Sequence, residues 1–265
     1  MGAVVAAVGD AVTQPVFAVL LAGLLASALV RRRVTALHGY AFGVLAAHAV
    51  AGHFGWFSRY ELYAYAAVLP VVEYLARRPL TALFAAHDGW RWAAAGAIVT
   101  MAVSAGYVGT TVRTSAGAAN IYTQQAQMAR FVSDHWRRPV AVNDLGLVAD
   151  RGGQYVLDLW GLASQEARRA RAADDGVGWM QRLTDEHGVE LAMICDDPWF
   201  PEVPSSWTRV AVLSMDLPRV TSASRQVSFF ATSARAAAEL RPALRDFAST
   251  LPAHAALCFP AGATP

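Results

Sequence analysis

Residues 92–111 read WAAAGAIVTMAVSAGYVGTT, twenty positions without a charged side chain. A helix that crosses a bilayer needs roughly 20 largely apolar residues, because in hydrocarbon every backbone polar group must be satisfied inside the helix. Trp92–Thr111 therefore reads as a membrane span, and the composition on its two sides divides the chain. Residues 1–112 hold 7 Arg and 4 acids, whereas residues 113–265 hold 15 Arg and 16 acids. The whole chain is 16% charged, against about 25% for an ordinary soluble domain. The expected architecture is a membrane domain of about four transmembrane helices in 1–112, followed by an extracytoplasmic α/β domain in 113–265.

Three more segments before residue 92 meet the length requirement. They are Val12–Val30, which ends at Arg31-Arg32-Arg33; Thr35–Phe57; and Tyr60–Ala76, which ends at Arg77-Arg78. The last is the shortest and carries Glu61, Pro70 and Glu73. Glu61 falls at its rim, and Glu73 lies one helical turn before Arg77, where opposite charges neutralise each other. Short arginine-rich loops stay in the cytoplasm. Arg31–Arg33, Arg77-Arg78 and Arg91 flank only two loops, so those loops face inward. The turn His53–Tyr60 and everything after Thr111 then face outward. Phe54, Trp56, Phe57, Tyr60, Tyr63 and Tyr65 form an outer aromatic belt, and Trp90 and Trp92 an inner one. The N-terminus would also lie outside, although no positive residue precedes the first span as a signal peptide requires. A missing N-terminal half is therefore expected.

From Ser115 onward amphipathic helices and short β-branched runs replace the apolar spans. Ile121, Met128, Val132 and Trp136 mark one face of a helix over 120–136, interrupted by Gln124 and Gln125. Strands are expected at 140–142, 155–157, 191–194, 210–213 and 227–230, and helices at 165–173, 177–187 and 234–250. That alternation predicts a mainly parallel or mixed sheet. Ligands in such folds sit outside the carboxyl ends of strands. The residues there are Asn143, Asp144, Asp158, Asp196 and Asp197, which equally make turns or cap the next helix.

Other patterns exclude chemistry. All 22 basic residues are Arg, and the exported half is nearly neutral, which leaves no footprint for nucleic acid. Arg151-Gly152-Gly153 lacks the spacing and lysine of a phosphate loop and reads as a turn. No Gly-x-Ser-x-Gly elbow is present. Asp174-Asp175 reads as a solvated turn. His48 and His53, five apart, do not share a helix face and have no carboxylate partner, so they read as packing residues; no metal or cofactor is expected. Cys195 and Cys258 are too few for a disulfide scaffold, and one bond between them would tether the C-terminal tail to a strand end. Arg59, with Tyr60 beside it at the outer surface, could hold a lipid-linked phosphate through its fork, or snorkel to headgroups and pair with Glu61.

Three stretches together resemble the C-terminal part of bacterial GT-C glycosyltransferases, the polytopic group that includes protein mannosyltransferases and lipid A aminoarabinose transferases. They are Gly55-Trp56-Phe57-Ser58-Arg59-Tyr60-Glu61-Leu62-Tyr63, Asn120-Ile121-Tyr122-Thr123-Gln124-Gln125, and the strand ends Asn143-Asp144-Leu145-Gly146 and Leu157-Asp158-Leu159-Trp160-Gly161-Leu162. The resemblance implies transfer of a sugar from a polyprenyl-phosphate carrier to an acceptor outside the cytoplasm. It also implies donor-phosphate binding by Arg59 and Tyr60 and sugar hydrogen bonds from Asn143, Asp144 and Asp158. In that family the catalytic carboxylate lies in the first outward loop of a longer chain, and no residue here matches it. The alternatives are a membrane-anchored module that binds a cell-envelope glycan or protein partner without chemistry, and a remnant reading frame.

Overall fold

The computed structural model describes residues 11, 13–54, 59–173, 176–195 and 199–260. Gly55-Trp56-Phe57-Ser58, Asp174-Asp175, Asp196 and Asp197 lie outside them. The chain divides into two compact units, Met1–Arg113 and Thr114–Pro265.

In the first unit, helices α1 (Pro15–Arg31), α2 (Ala36–Ala51), α3 (Leu62–Phe84) and α4 (Gly89–Val112) follow one another. Phe17, Leu20 and Leu24 of α1, Ala41 and Leu45 of α2, and Val68 and Leu75 of α3 form its core. α2 stops at Ala51, before the expected end at Phe57, where His48 packs against the chain. A Cβ at Gly52 would lie 2.3 Å from His48 Nδ1, so the approach requires glycine. His48 itself is buried, bonds Tyr63 Oη at 2.8 Å through Nδ1 and meets Phe54 edge to face, whereas His53 is exposed. α3 continues past Arg77-Arg78, where the charge pattern predicts an end, and contains Pro70 and Pro79. Pro79 has no N–H to give Leu75, four residues earlier. Arg31 supplies the missing donor, with Nη2 2.6 Å from the Leu75 carbonyl.

Among the described residues one helical segment is long and apolar enough to cross a membrane, Gly89–Trp136, and Pro15–Arg31 and Ala36–Ala51 are shorter apolar helices.

The second unit carries α5 (Thr114–Thr123), α6 (Gln125–Arg130) and a π-helical turn (Phe131–Trp136), then β1 (Val140–Val142), α7 (Gly146–Arg151), β2 (Val156–Asp158), α8 (Gln165–Ala173), α9 (Gly178–Glu186), β3 (Leu191–Ile194), β4 (Thr208–Met215), β5 (Gln226–Ala231), α10 (Ala234–Ala248) and β6 (Ala255–Cys258). The six strands form one mixed sheet in the order β2-β1-β3-β5-β4-β6. β1 pairs in parallel with β2 and β3, while β5 and β6 run antiparallel to their neighbours.

Strand side chains alternate between the two faces. Val140, Val142, Leu191, Met193 and Phe229 pack against α6, the π-turn and α10 through Met128, Phe131, Leu240, Leu244 and Phe247. Ala141, Ala192, Ile194 and Phe230 pack on the other face against Ala167 of α8 and Trp179, Met180 and Leu183 of α9. The helix expected over 120–136 is divided at Gln124 (φ −117°, ψ −75°) into α5 and α6, with the Gln124 N–H still bonded to Asn120 O at 3.0 Å. Gln124 and Gln125, the polar residues that interrupt the expected apolar face, are themselves buried there.

Cys195 and Cys258 form no disulfide. Cys258 pairs in register with Val212, Val212 with Ser228, and Ser228 with Ile194, the neighbour of Cys195. Three strand spacings, roughly 14 Å, separate them, about twice what a disulfide spans.

Candidate functional site at the carboxyl edge of the sheet

Because β1, β2 and β3 run parallel, their carboxyl ends share one edge, where Asn143, Asp144 and Asp158 come together. Asn143 follows β1 and is 4% exposed; its Oδ1 accepts the Cys195 N–H at 3.0 Å, joining the ends of β1 and β3. Its Nδ2 is buried without a partner among the described residues. Asp144 is exposed, and its Oδ2 accepts from Gln125 Nε2 at 3.1 Å.

Asp158 ends β2 and is 2% exposed. Its Oδ1 accepts the Trp160 N–H at 2.9 Å, and its Oδ2 accepts the Ala163 N–H at 2.6 Å. The carboxylate thereby shapes the turn that leads into α8, an Asx-type role. Gly161 completes that turn at φ +89°, where a Cβ would meet the Arg168 backbone at 2.7 Å, so no other residue fits without strain.

Asn120-Ile121-Tyr122-Thr123-Gln124-Gln125 holds α5 against the segment that joins β4 to β5. Asn120, 1% exposed, donates from Nδ2 to Pro218 O at 3.1 Å and accepts the Val220 and Thr221 N–H groups at 2.7 and 3.3 Å. Gln124 Nε2 donates to Ser224 O at 3.0 Å.

Beside Asp158 lies a feature that the strand-end rule did not single out. Trp160, after β2, packs against Trp199, after β3, with ring centroids 4.3 Å apart and planes tilted by 48°, and meets Phe200 edge to face at 6.0 Å. The Arg171 guanidinium of α8 sits 3.6 Å over the Trp160 ring and donates to Trp160 O at 2.6 Å. Burial lowers the Arg171 pKa from its ordinary value, and the Asp158 carboxylate opposes that shift. A cavity of about 320 Å³ opens here, lined by Arg171, Trp179, Met180, Trp199, Phe200 and Glu202 among others. That volume suits a small-molecule or saccharide-sized site, in which apolar walls surround a few convergent polar groups. The legible signal was an aromatic residue just past two parallel strands, Trp160 and Trp199; Arg171 had none, because only the packing of α8 brings it there.

A second cavity, of about 460 Å³, is lined by Tyr122, Gln127, Arg130, Ser133, Arg151 and Thr250 among others. Arg130 is committed to Gln127 Oε1 and Thr250 O. Among the described residues no cluster of three or more His, Cys, Asp or Glu side chains could hold a metal ion.

Arg59 and Tyr60 belong to the first unit and are exposed, with the Arg59 guanidinium 5.3 Å from the Tyr60 ring centroid. A guanidinium fork matches the paired oxygens of a phosphate or carboxylate.

A family described as a domain of unknown function (DUF8728) matches residues 119–230. The match contains Asn120, Asn143, Asp144, Asp158, Trp160 and the pocket lined by Arg171, Trp199 and Phe200. No curated protein matches the chain. No solved structure matches it.

Proposed function

We propose that this chain is the C-terminal portion of a GT-C-like membrane glycosyltransferase, which transfers a sugar from a polyprenyl-phosphate carrier to an acceptor outside the cytoplasm. Residues 1–112 supply about four membrane helices, and residues 113–265 form an exported domain that holds a saccharide at the carboxyl edge of its sheet. Catalysis needs a carboxylate from an N-terminal half or a partner chain, because nothing here matches the family's acid/base.

The observation that carries the proposal is the pocket of Trp199, Phe200, Arg171 and Glu202. A sugar ring has an apolar C–H face that packs on aromatic rings and a hydroxyl rim that bonds to charged groups, and this pocket offers both. The membrane assignment draws support from α4, where Ile98, Met101 and Val108 are 62%, 65% and 60% exposed, an apolar surface that water would not tolerate at this extent. At the outer surface Arg59, with Tyr60, neutralises the carrier phosphate as it leaves.

The test is tryptophan fluorescence of the full chain in nanodiscs, titrated with cell-envelope oligosaccharides. Saturable quenching that is lost in Trp199→Ala supports the saccharide site; unaltered fluorescence across the panel removes it. Arg59→Ala should weaken retention of a polyprenyl-phosphate sugar in native membranes, and unchanged retention removes the phosphate role.

A second reading, a non-catalytic binding module for a cell-envelope glycan or protein, is favoured by the commitment of both Asp158 oxygens to backbone N–H groups. The mass of the native protein separates the two. A band far above 28.3 kDa favours the glycosyltransferase portion, and one at 28.3 kDa favours the module or a separately encoded catalytic partner.

A further inference from the structure

The first unit contains a groove between α1 and α3 with a volume of about 420 Å³. Its walls are mainly apolar, including Gly23, Val30, Pro79 and Leu80, and Arg31 and Arg78 also line it. No acidic side chain is among its lining residues. Arg31 spends one guanidinium N–H on the Leu75 carbonyl, which leaves four donors and the full charge. Arg78 is exposed. Ser27 Oγ, also in the wall, is buried without a hydrogen-bond partner among the described residues.

We propose that this groove binds one anionic phospholipid of the inner leaflet, with an acyl chain along the apolar wall and the phosphodiester between Arg31 and Arg78. The inference rests on the proposed membrane domain, with Arg31 and Arg78 at its cytoplasmic side. Charge selects the occupant. A basic pocket between spanning helices attracts an anionic headgroup, and the arginine fork matches two phosphate oxygens in a way that a zwitterionic headgroup, with its own ammonium, partly cancels. The Ser27 hydroxyl is then satisfied by a glycerol or phosphate oxygen instead of facing hydrocarbon alone. Pro79 contributes indirectly, since the carbonyl it frees fixes Arg31 at the groove.

Two measurements on the full chain test the proposal and the membrane assignment separately. In flotation with phosphatidylcholine vesicles, a chain that stays in the aqueous fraction overturns the membrane domain itself. For a chain that floats, native mass spectrometry from neutral detergent compares phosphatidylglycerol with phosphatidylcholine of the same acyl chains. The expected result is selective retention of one phosphatidylglycerol per chain. Arg78→Gln should weaken it by about fivefold, the worth of one arginine at a lipid surface, and Arg78→Lys should restore most of the loss. Arg33→Gln, outside the groove, should leave retention unchanged. Equal retention of both lipids, equal loss in the two Gln variants, or displacement of phosphatidylglycerol by equimolar undecaprenyl phosphate overturns the assignment.

Discussion

Asp158→Ala separates a carboxylate that shapes a turn from one that awaits a sugar. The side chain accepts two backbone N–H groups, from Trp160 at 2.9 Å and Ala163 at 2.6 Å, while only 2% exposed. Hydrogen bonds to a charged group contribute about 1.5–3 kcal/mol each, so complete loss of both would cost roughly 3–6 kcal/mol. Ala163 is exposed and Trp160 half-buried, so water recovers part of both bonds. The expected cost is therefore about 3 kcal/mol, at the lower end. Asp158→Asn keeps one acceptor but turns an NH2 group toward the second N–H, and should cost about half as much. The assay is urea unfolding of the full chain in mild detergent, followed by tryptophan fluorescence, since Trp160, Trp179, Trp199 and Trp207 all lie in the sheet-bearing unit. The midpoint should fall with an unchanged denaturant slope. A loss below about 1 kcal/mol, too small for two buried charge-assisted bonds, together with lost oligosaccharide binding, would refute the turn assignment and return Asp158 to the ligand.

The remaining expectations concern packing and pH. Asn120→Ala removes three hydrogen bonds to the 218–221 segment and should destabilise the second unit by about 2–4 kcal/mol, measured by the same unfolding; a loss near zero would make this asparagine a ligand group. Arg31→Ala should cost about 1.5–3 kcal/mol in detergent unfolding, but about 1–2 kcal/mol less when combined with Pro79→Ala, whose new N–H bonds Leu75 O; strict additivity in the double-mutant cycle would refute the exchange. Tyr155, stacked on His187, has its pKa raised from 10.0 by burial first and then by the Glu166 charge. The folded state therefore binds this proton more tightly than the unfolded state, and the associated stability is present below pH 10 and lost as pH rises toward the elevated value. Stability of Tyr155→Phe should fall less steeply above pH 10 than that of the parent, and parallel curves would contradict the shift.

Much of the sheet-bearing unit was legible in one dimension. Val140–Val142, Leu191–Ile194 and Val227–Phe230 announce themselves as short, largely apolar runs closed by turn residues or a helix cap, and α8, α9 and α10 show apolar residues at helical spacing. The charge contrast at residue 112 likewise belongs to composition. Asn143, Asp144 and Asp158 could be placed at strand ends by the same logic, but their bonds could not, since an Asn or Asp after a strand has the same spelling whether it binds a ligand or a backbone N–H.

Four further features escaped for one physical reason. β6, Ala255–Cys258, is weak in β-forming residues and exists because β4 offers an open edge to pair with. α3 outlasts its arginines and Pro79 because a donor 44 residues away takes the orphaned carbonyl. Arg171 joins the aromatic pocket because α8 packs over that end of the sheet, and Cys195 and Cys258 stay apart because β5 and β4 lie between their strands. The sequence by itself determined which segments are apolar, which alternate and where turns fall, since those follow from side-chain solvation and local backbone preference. Strand order, the partners of orphaned polar groups and the convergence of distant side chains were decided only by the tertiary structure, because each depends on what another part of the chain brings within a few ångströms.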